Sequence, residues 1–419
     1  MGDYDILIVG AGIAGLHCAL RISEKFPSKR IAIAEASDVT GGRIFTFQAP
    51  FRGLHWEAGA GRVNTNHTHT CKYVKKYGLT RIPIENGSKW VTIGRMSKSN
   101  DWNSIVKTFV TSLSKIPKVM LATHTLYDLL CKIYTTSIVE SILFFFPYRA
   151  EVMTLRADLA LESFQSDMAP NASFFVIKEG FSSLPAAMED ELVGRGVTFL
   201  MNHRCTSLHS QDVFPMIAHF KTPVNSQSIS ATKIILAIPS DALRKVSHFK
   251  SYPILKHLEA SALLRTYAVF PKNGDSRMWF EGMKRTVTDT PLRHIIPINT
   301  NKGIIMTSYT DGDDTIHWEK LKKKGTGVVA KEIVKELQAL FPESVIPNPL
   351  YFKYHFWPHG ATYWAPGLYD PKTESQAMLR PFPTRLPDLY VCGESYSLKQ
   401  AWVEGALEHA EELITKYFS

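Results

Sequence analysis

Gly10-Ala11-Gly12-Ile13-Ala14-Gly15 follows the mostly apolar run Asp5-Ile6-Leu7-Ile8-Val9 without a gap, and no other stretch of the chain restricts its fold so tightly. The run predicts a buried strand. The first glycine permits a tight strand-to-helix turn, the second lets the backbone approach a pyrophosphate, and the third lets the next helix pack close to the strand. Leu16 to Ile22 has helical character, and the amino terminus of such a helix offers free N–H groups and partial positive charge to phosphate. A second apolar run, Ile31 to Ala34, ends on Glu35. That acid lies about twenty residues past the last glycine, where a carboxylate accepts hydrogen bonds from ribose hydroxyls. The glycine pattern alone is common. With strand, helix, second strand and acid all in place, it predicts an adenine-dinucleotide site in an α/β domain.

Composition sets the remaining bounds. A chain of 419 residues holds two or three domains, each with its own core. Hydrophobic residues make up 45% and charged residues 21%, which suits globular rather than disordered chains. Cys18, Cys71, Cys131, Cys205 and Cys392 are scattered and never in C-x-x-C spacing. Free thiols in a reducing compartment are therefore expected, without a disulfide framework or a zinc site. The first strand begins at once, so no signal peptide and a cytoplasmic placement are expected. The net charge of +9 is spread along the chain, and its densest run, Lys320-Leu321-Lys322-Lys323-Lys324, reads as a solvated helix end. No nucleic-acid partner is expected. Ile138 to Phe146 is too short for a membrane span of about twenty residues and carries Glu140, which favours a buried or lid helix. Peripheral membrane contact stays open. His67 and His69 would share one side of a strand, but no carboxylate or cysteine cluster accompanies them, so no metal is expected.

Past Glu35 comes Ala36, then Gly41-Gly42-Arg43, then Glu57-Ala58-Gly59-Ala60-Gly61-Arg62. An acid-ended strand followed by Gly-Gly-Arg resembles the flavin-binding opening of the flavin monoamine oxidase family. In that family the arginine lies along the FAD pyrophosphate and a second glycine-rich turn passes the flavin ring. FAD is thus the expected cofactor, with NAD the alternative. The likeness continues through Gly180-Phe181 with Leu184, Leu236-Ala237-Ile238-Pro239, Pro291-Leu292-Arg293 and Tyr309-Thr310-Asp311, then Trp357-Pro358-His359-Gly360 and Trp402-Val403-Glu404-Gly405. These stand in family order across nearly the whole length, and within the family they most resemble the L-tryptophan oxidases of the violacein pathway. The likeness is least from about residue 100 to 170.

The expected architecture is α/β: a Rossmann-like FAD domain assembled from residues 1–66, 174–249 and 386–419, a mixed α+β substrate domain at 250–385, and a helical insertion at 67–173. Glu179-Gly180-Phe181 precedes a helix, and Val197 to Leu200 returns to strand. Ile234-Ile235-Leu236-Ala237-Ile238-Pro239 reads as a buried strand of a parallel sheet stopped by proline. Leu389 to Glu394 and a helix from about Ala401 to Tyr417 close the chain.

The resemblance also assigns roles. FAD would be held by Gly10, Gly12, Ile13, Ala14, Gly15, Glu35, Ala36, Gly42, Arg43, Gly59, Ala60, Gly61 and Arg62, with Cys205 giving backbone contacts to adenine. Gly393, Glu394 and Val403 complete the set, Val403 by its backbone against the flavin ring. Arg62 would also grip a substrate carboxylate, for which a planar guanidinium is suited. Tyr309 would donate its phenol to the same carboxylate, and Trp402 would wall the substrate against water. Trp357 belongs to the same group.

Three positions depart from the family. The lysine that holds a water near flavin N5 falls at Arg265, and arginine cannot act as a base. His359 falls where monoamine oxidases place the cysteine bonded to FAD, yet the tryptophan-oxidase likeness implies non-covalent FAD. Gly360 replaces one ring of the monoamine oxidase aromatic cage, which implies room for a substrate bearing a carboxylate. The implied reaction is oxidation of an L-amino acid, aromatic ones such as tryptophan included. Hydride passes from Cα to flavin N5, giving an imino acid and, with O2, hydrogen peroxide. A monomer or homodimer is expected. A monoamine or polyamine oxidase on the same fold is the first rival, and an acid-lined pocket would favour it. A non-catalytic FAD-binding module is the second.

Overall fold

Strand Tyr4–Val9 lies inside a seven-stranded sheet, flanked in parallel by Ile31–Ala34 on one side and Ser226–Leu236 on the other. The computed structural model describes residues 2–51, 53–85, 87–93, 102–143, 146, 148–169, 171–209 and 215–418. Thr198–Leu200 and Leu389–Val391 extend the parallel part, so strands distant in sequence meet in one sheet. Helices Ile13–Lys25, Ser183–Gly194 and Val403–Tyr417 cover one face, burying Leu16, Leu20, Leu184 and Leu407 against Ile6, Ile8 and Ile33.

The sheet is mixed where the Ile234 run suggested a parallel one. Strand Ser226–Leu236 changes partner along its 11 residues. Its first half pairs antiparallel with Met216–Lys221, which pairs antiparallel with Arg204–His209. Its buried end, Ile234–Leu236, lies between Tyr4–Val9 and Leu389–Val391. Ser226, Gln227 and Ser228 are exposed, and a half-wetted ladder suits antiparallel pairing.

A six-stranded sheet runs in the order Tyr351–Trp364, Leu258–Val269, Ile304–Asp311, His294–Asn299, Thr286–Thr288, Lys89–Val91. The last strand comes from the stretch read as helical and pairs parallel with Thr286–Thr288. Helices Thr315–Lys322 and Thr326–Leu340 pack on this sheet through Trp318, Ile333 and Leu337.

Around Phe109, Phe146 and Phe164 cluster the helices Trp102–Leu113, Leu126–Ile133, Thr136–Leu143 and Ala157–Gln165. Of the apolar stretch Ile138 to Phe146, the residues Phe144 and Phe145 lie outside the described residues. Val139 and Leu143 are buried, Ile138 is exposed, and Glu140 pairs with Arg149 at 3.3 Å. Among the described residues no helix is long and apolar enough to cross a membrane. His67 and His69 do not share a strand: His67 immediately precedes the helix Thr68–Lys76 without capping it through its side chain, and His69 lies in its first turn. The His67 Nε2 faces Asp167 at 3.1 Å.

Candidate active site

The glycine turn is held by contacts that only glycine allows. Gly10 has φ +106°, and a Cβ there would stand 2.4 Å from the Ala237 carbonyl oxygen. Gly15 packs under the same turn, its missing Cβ 2.0 Å from the Gly10 oxygen, which is the close approach the third glycine was expected to provide. Gly12 differs: a Cβ on it would meet no protein atom within 4 Å, because it faces open cavity. The helix that starts there has no side-chain cap and no acid in its first turn. Its amides are left for an anion. Glu35 accepts from the Ala11 amide at 2.8 Å and from Ser37, tying the turn to the second strand.

One cavity of about 490 Å³ runs from this turn into the six-stranded sheet. Gly10, Gly12, Ile13, Ala14, Glu35, Ala36, Gly42, Arg43, Gly59, Ala60, Gly61, Cys205, Gly393, Glu394 and Val403 line it, so of the expected FAD residues outside Arg62 only Gly15 stands behind the wall. Arg43 spans toward Glu394 at 2.6 Å and the Gly360 carbonyl at 3.3 Å. The glycine cradle, the bare helix terminus and the ribose-type acid fit an adenine dinucleotide.

At the far end, Arg62, Tyr309, Trp402, Arg265 and Trp357 line the same cavity. The Arg62 guanidinium lies over the rings of Phe174, Tyr148 and Trp402 at 4.5, 5.4 and 5.5 Å. Among the described residues no carboxylate pairs with it. Tyr309 packs beside Tyr148 and Arg265, and burial raises its phenol above the ordinary range, so it stays a proton donor. Burial would raise Tyr148 too, but Arg285 and Arg62 outweigh that and lower it.

Arg265 and Trp357 brace the second glycine turn. The Arg265 Nη1 donates to the Glu57 carbonyl at 3.0 Å and to that of Gly59, and the Trp357 Nε1 donates to the Ala58 carbonyl at 2.7 Å. Arg265 thus holds backbone through Nη1, while its buried Nε has no hydrogen-bond partner.

His359 is absent from the cavity lining. Its ring is 47% exposed and its Nε2 faces Asp241 at 3.7 Å. Pairing of Ser261 with Ala361 and of Leu263 with Trp357 leaves Pro358, His359 and Gly360 in a bulge opposite Ala262. A bulge re-aims side chains, and proline, which cannot donate to a ladder, is at home there. Gly360 lines the cavity, yet a Cβ on it would stand 2.6 Å from the Leu263 Cβ. Leu263 fills the space that loss of a ring was expected to open.

Sequence reasoning missed Glu151, Asp311 and Tyr363, all buried in the cavity wall. Asp311 Oδ1 accepts from the Arg149 and Ala150 amides at 3.1 and 3.3 Å, holding the short helix that carries Glu151. Tyr309-Thr310-Asp311 was a visible signal for one acid; nothing local marked Glu151.

Burial pushes the Glu151 carboxyl up from its ordinary 4.5 to about 7, with Arg62 pulling it partly back, and burial followed by Glu151 raises Asp311 well above its own range. The native state therefore holds a proton that the unfolded chain releases, and stability falls as pH rises from about 4.5 to about 7. Glu151→Gln should remove this loss, gaining on the order of 3 kcal/mol over wild type between pH 4.5 and pH 8. Parallel denaturation curves across that range would contradict it.

A dinucleotide cradle opening into an arginine- and aromatic-lined pocket defines a flavin-type oxidoreductase. The sequence profile of the flavin-containing amine oxidoreductases matches residues 13–412, and the chain belongs to that family. FAD is its cofactor. The YobN protein of Bacillus subtilis (strain 168), provisionally named an L-amino-acid oxidase, is 24% identical over 96% of this chain and 92% of its own length. L-amino acid oxidase Lm29 of Lachesis muta is 24% identical over 96% of this chain and 84% of its own. An uncharacterized mimivirus protein, R188, is 21% identical over 99% and 94%.

Proposed function

We propose that the protein is an L-amino-acid oxidase with non-covalent FAD and O2 as final acceptor, acting as a monomer or homodimer in the cytoplasm. The supporting observation is Arg62, a guanidinium with no carboxylate partner among the described residues, held by aromatic faces in the cavity. Its fork binds the substrate carboxylate in two parallel hydrogen bonds. Tyr309 donates a further hydrogen bond to that carboxylate. Trp402 and Phe174 stack at 6.0 Å between centroids and keep water from the reacting carbon. Bound FAD supplies the two-electron acceptor. The amino acid loses its Cα hydrogen and becomes an imino acid, which water converts to a keto acid and ammonia. No basic side chain is needed when the amine binds neutral. The relatives' names support the same class. We also propose the three-part division into FAD, substrate and helical domains at the boundaries stated above.

The test is anaerobic mixing of the FAD-loaded protein with L-amino acids and their decarboxylated amines, following flavin absorbance. Bleaching by amino acids and not by their amines is expected. Bleaching by amines alone would establish the amine oxidase instead, and silence across the panel would leave a binding module.

A further inference from the structure

The cavity wall holds a base and an acid that close no ion pair among the described residues. Arg62 is one. The other is Glu151, 9% exposed, whose carboxyl lies within reach of the Tyr363 hydroxyl and whose Oε2 is buried without a hydrogen bond. Asp311 beside it already accepts two backbone amides, so Glu151 holds the spare acceptor. An ionised carboxylate left bare in a protein interior is costly unless something pairs with it. Glu151 also borders a second cavity of about 220 Å³, which shares Tyr363 and Trp402 and adds Glu162, Asp167 and Glu408. Its lining lysine, Lys399, is tied to Glu408 at 3.0 Å. The second cavity's wall is thus mostly acidic beside Glu151.

We infer that Glu151 reads the substrate side chain, and that the substrate is a basic L-amino acid whose carboxylate sits on Arg62 while its terminal cation pairs with Glu151. This rests on the amino-acid-oxidase reading and narrows it. A carboxylate alone explains Arg62 and leaves the Glu151 Oε2 without a hydrogen bond. An amine or polyamine explains Glu151 and leaves Arg62 bare. A dibasic amino acid satisfies both.

The experiment uses the FAD-loaded enzyme with L-lysine, L-norleucine (lysine without its terminal amino group), L-tryptophan and 1,5-diaminopentane. The expected result is a kcat/KM for lysine at least about 30-fold above norleucine, a charge-pair difference of ordinary size. Glu151→Gln should lower the lysine-to-norleucine ratio by about the same factor. A binding readout is independent of turnover: 6-aminohexanoate, which is lysine without its α-amino group, should inhibit far more tightly than hexanoate. Preference for norleucine or tryptophan, or equal inhibition by the two acids, would overturn the inference while the amino-acid oxidase stands. A ratio unmoved by Glu151→Gln would overturn the role of Glu151. Oxidation of 1,5-diaminopentane with no amino acid accepted would bring down the underlying reading instead.

Discussion

Arg62→Ala is expected to raise KM for the amino-acid substrate by about 100-fold while FAD stays bound. Hydrogen bonds to charged groups contribute roughly 1.5–3 kcal/mol each, and 2.7 kcal/mol is a factor of about 100 in affinity. The guanidinium rests on Phe174, Tyr148 and Trp402 and closes no ion pair among the described residues, so its removal breaks no salt bridge, though the buried Glu151 loses the pull of its charge. Arginine faces on rings contribute about 0.5–1 kcal/mol each, a modest loss for the fold. Because the carboxylate is gripped before and during reaction alike, kcat should change much less than KM. Arg62→Lys keeps the charge but loses the fork, and it should recover only part of the affinity. Steady-state kinetics with flavin content measured in parallel decides the matter. An unchanged KM would remove Arg62 from carboxylate binding.

Residues 5–43 were legible because their chemistry is local. Gly10, Gly12 and Gly15 act through the turn they form, and Glu35 reaches back to the Ala11 amide over one strand length. Arg62 was legible by likeness, since it closes a glycine turn of recognisable spacing. The mixed sheet was not, because Ile234–Leu236 looks like any buried strand while the exposed half that turns antiparallel carries no apolar signal. His359 and Gly360 were misjudged because counting along a strand assumes regular alternation, and the bulge opposite Ala262 breaks it. Glu151 lay beyond reach for a different reason. Its helix and Asp311 are joined across 161 residues, Ala150 to Asp311, so only the folded chain brings the two acids together.

Gly12→Ala and Gly15→Ala should separate cofactor binding from folding. At Gly15 the added methyl would lie 2.0 Å from the Gly10 carbonyl oxygen and 3.3 Å from the Ala237 Cβ, both in the centre of the fold. Neither is the free end of a flexible side chain, so strand and helix must part, at roughly 3 kcal/mol for such overpacking. At Gly12 the backbone has φ −70° and ψ 173°, which any residue adopts, and a methyl would meet no protein atom. The apoprotein should therefore unfold within about 1 kcal/mol of wild type, as substitutions free of strain or cavity do. The methyl would instead occupy the space in front of the bare helix terminus, where a pyrophosphate must come close. A displacement there worth about 2 kcal/mol weakens FAD roughly 30-fold. Denaturation of the two apoproteins and titration with FAD measure both quantities. If Gly12→Ala destabilises the apoprotein as much as Gly15→Ala does, glycine at 12 serves the fold, and the cradle does not owe its shape to the cofactor.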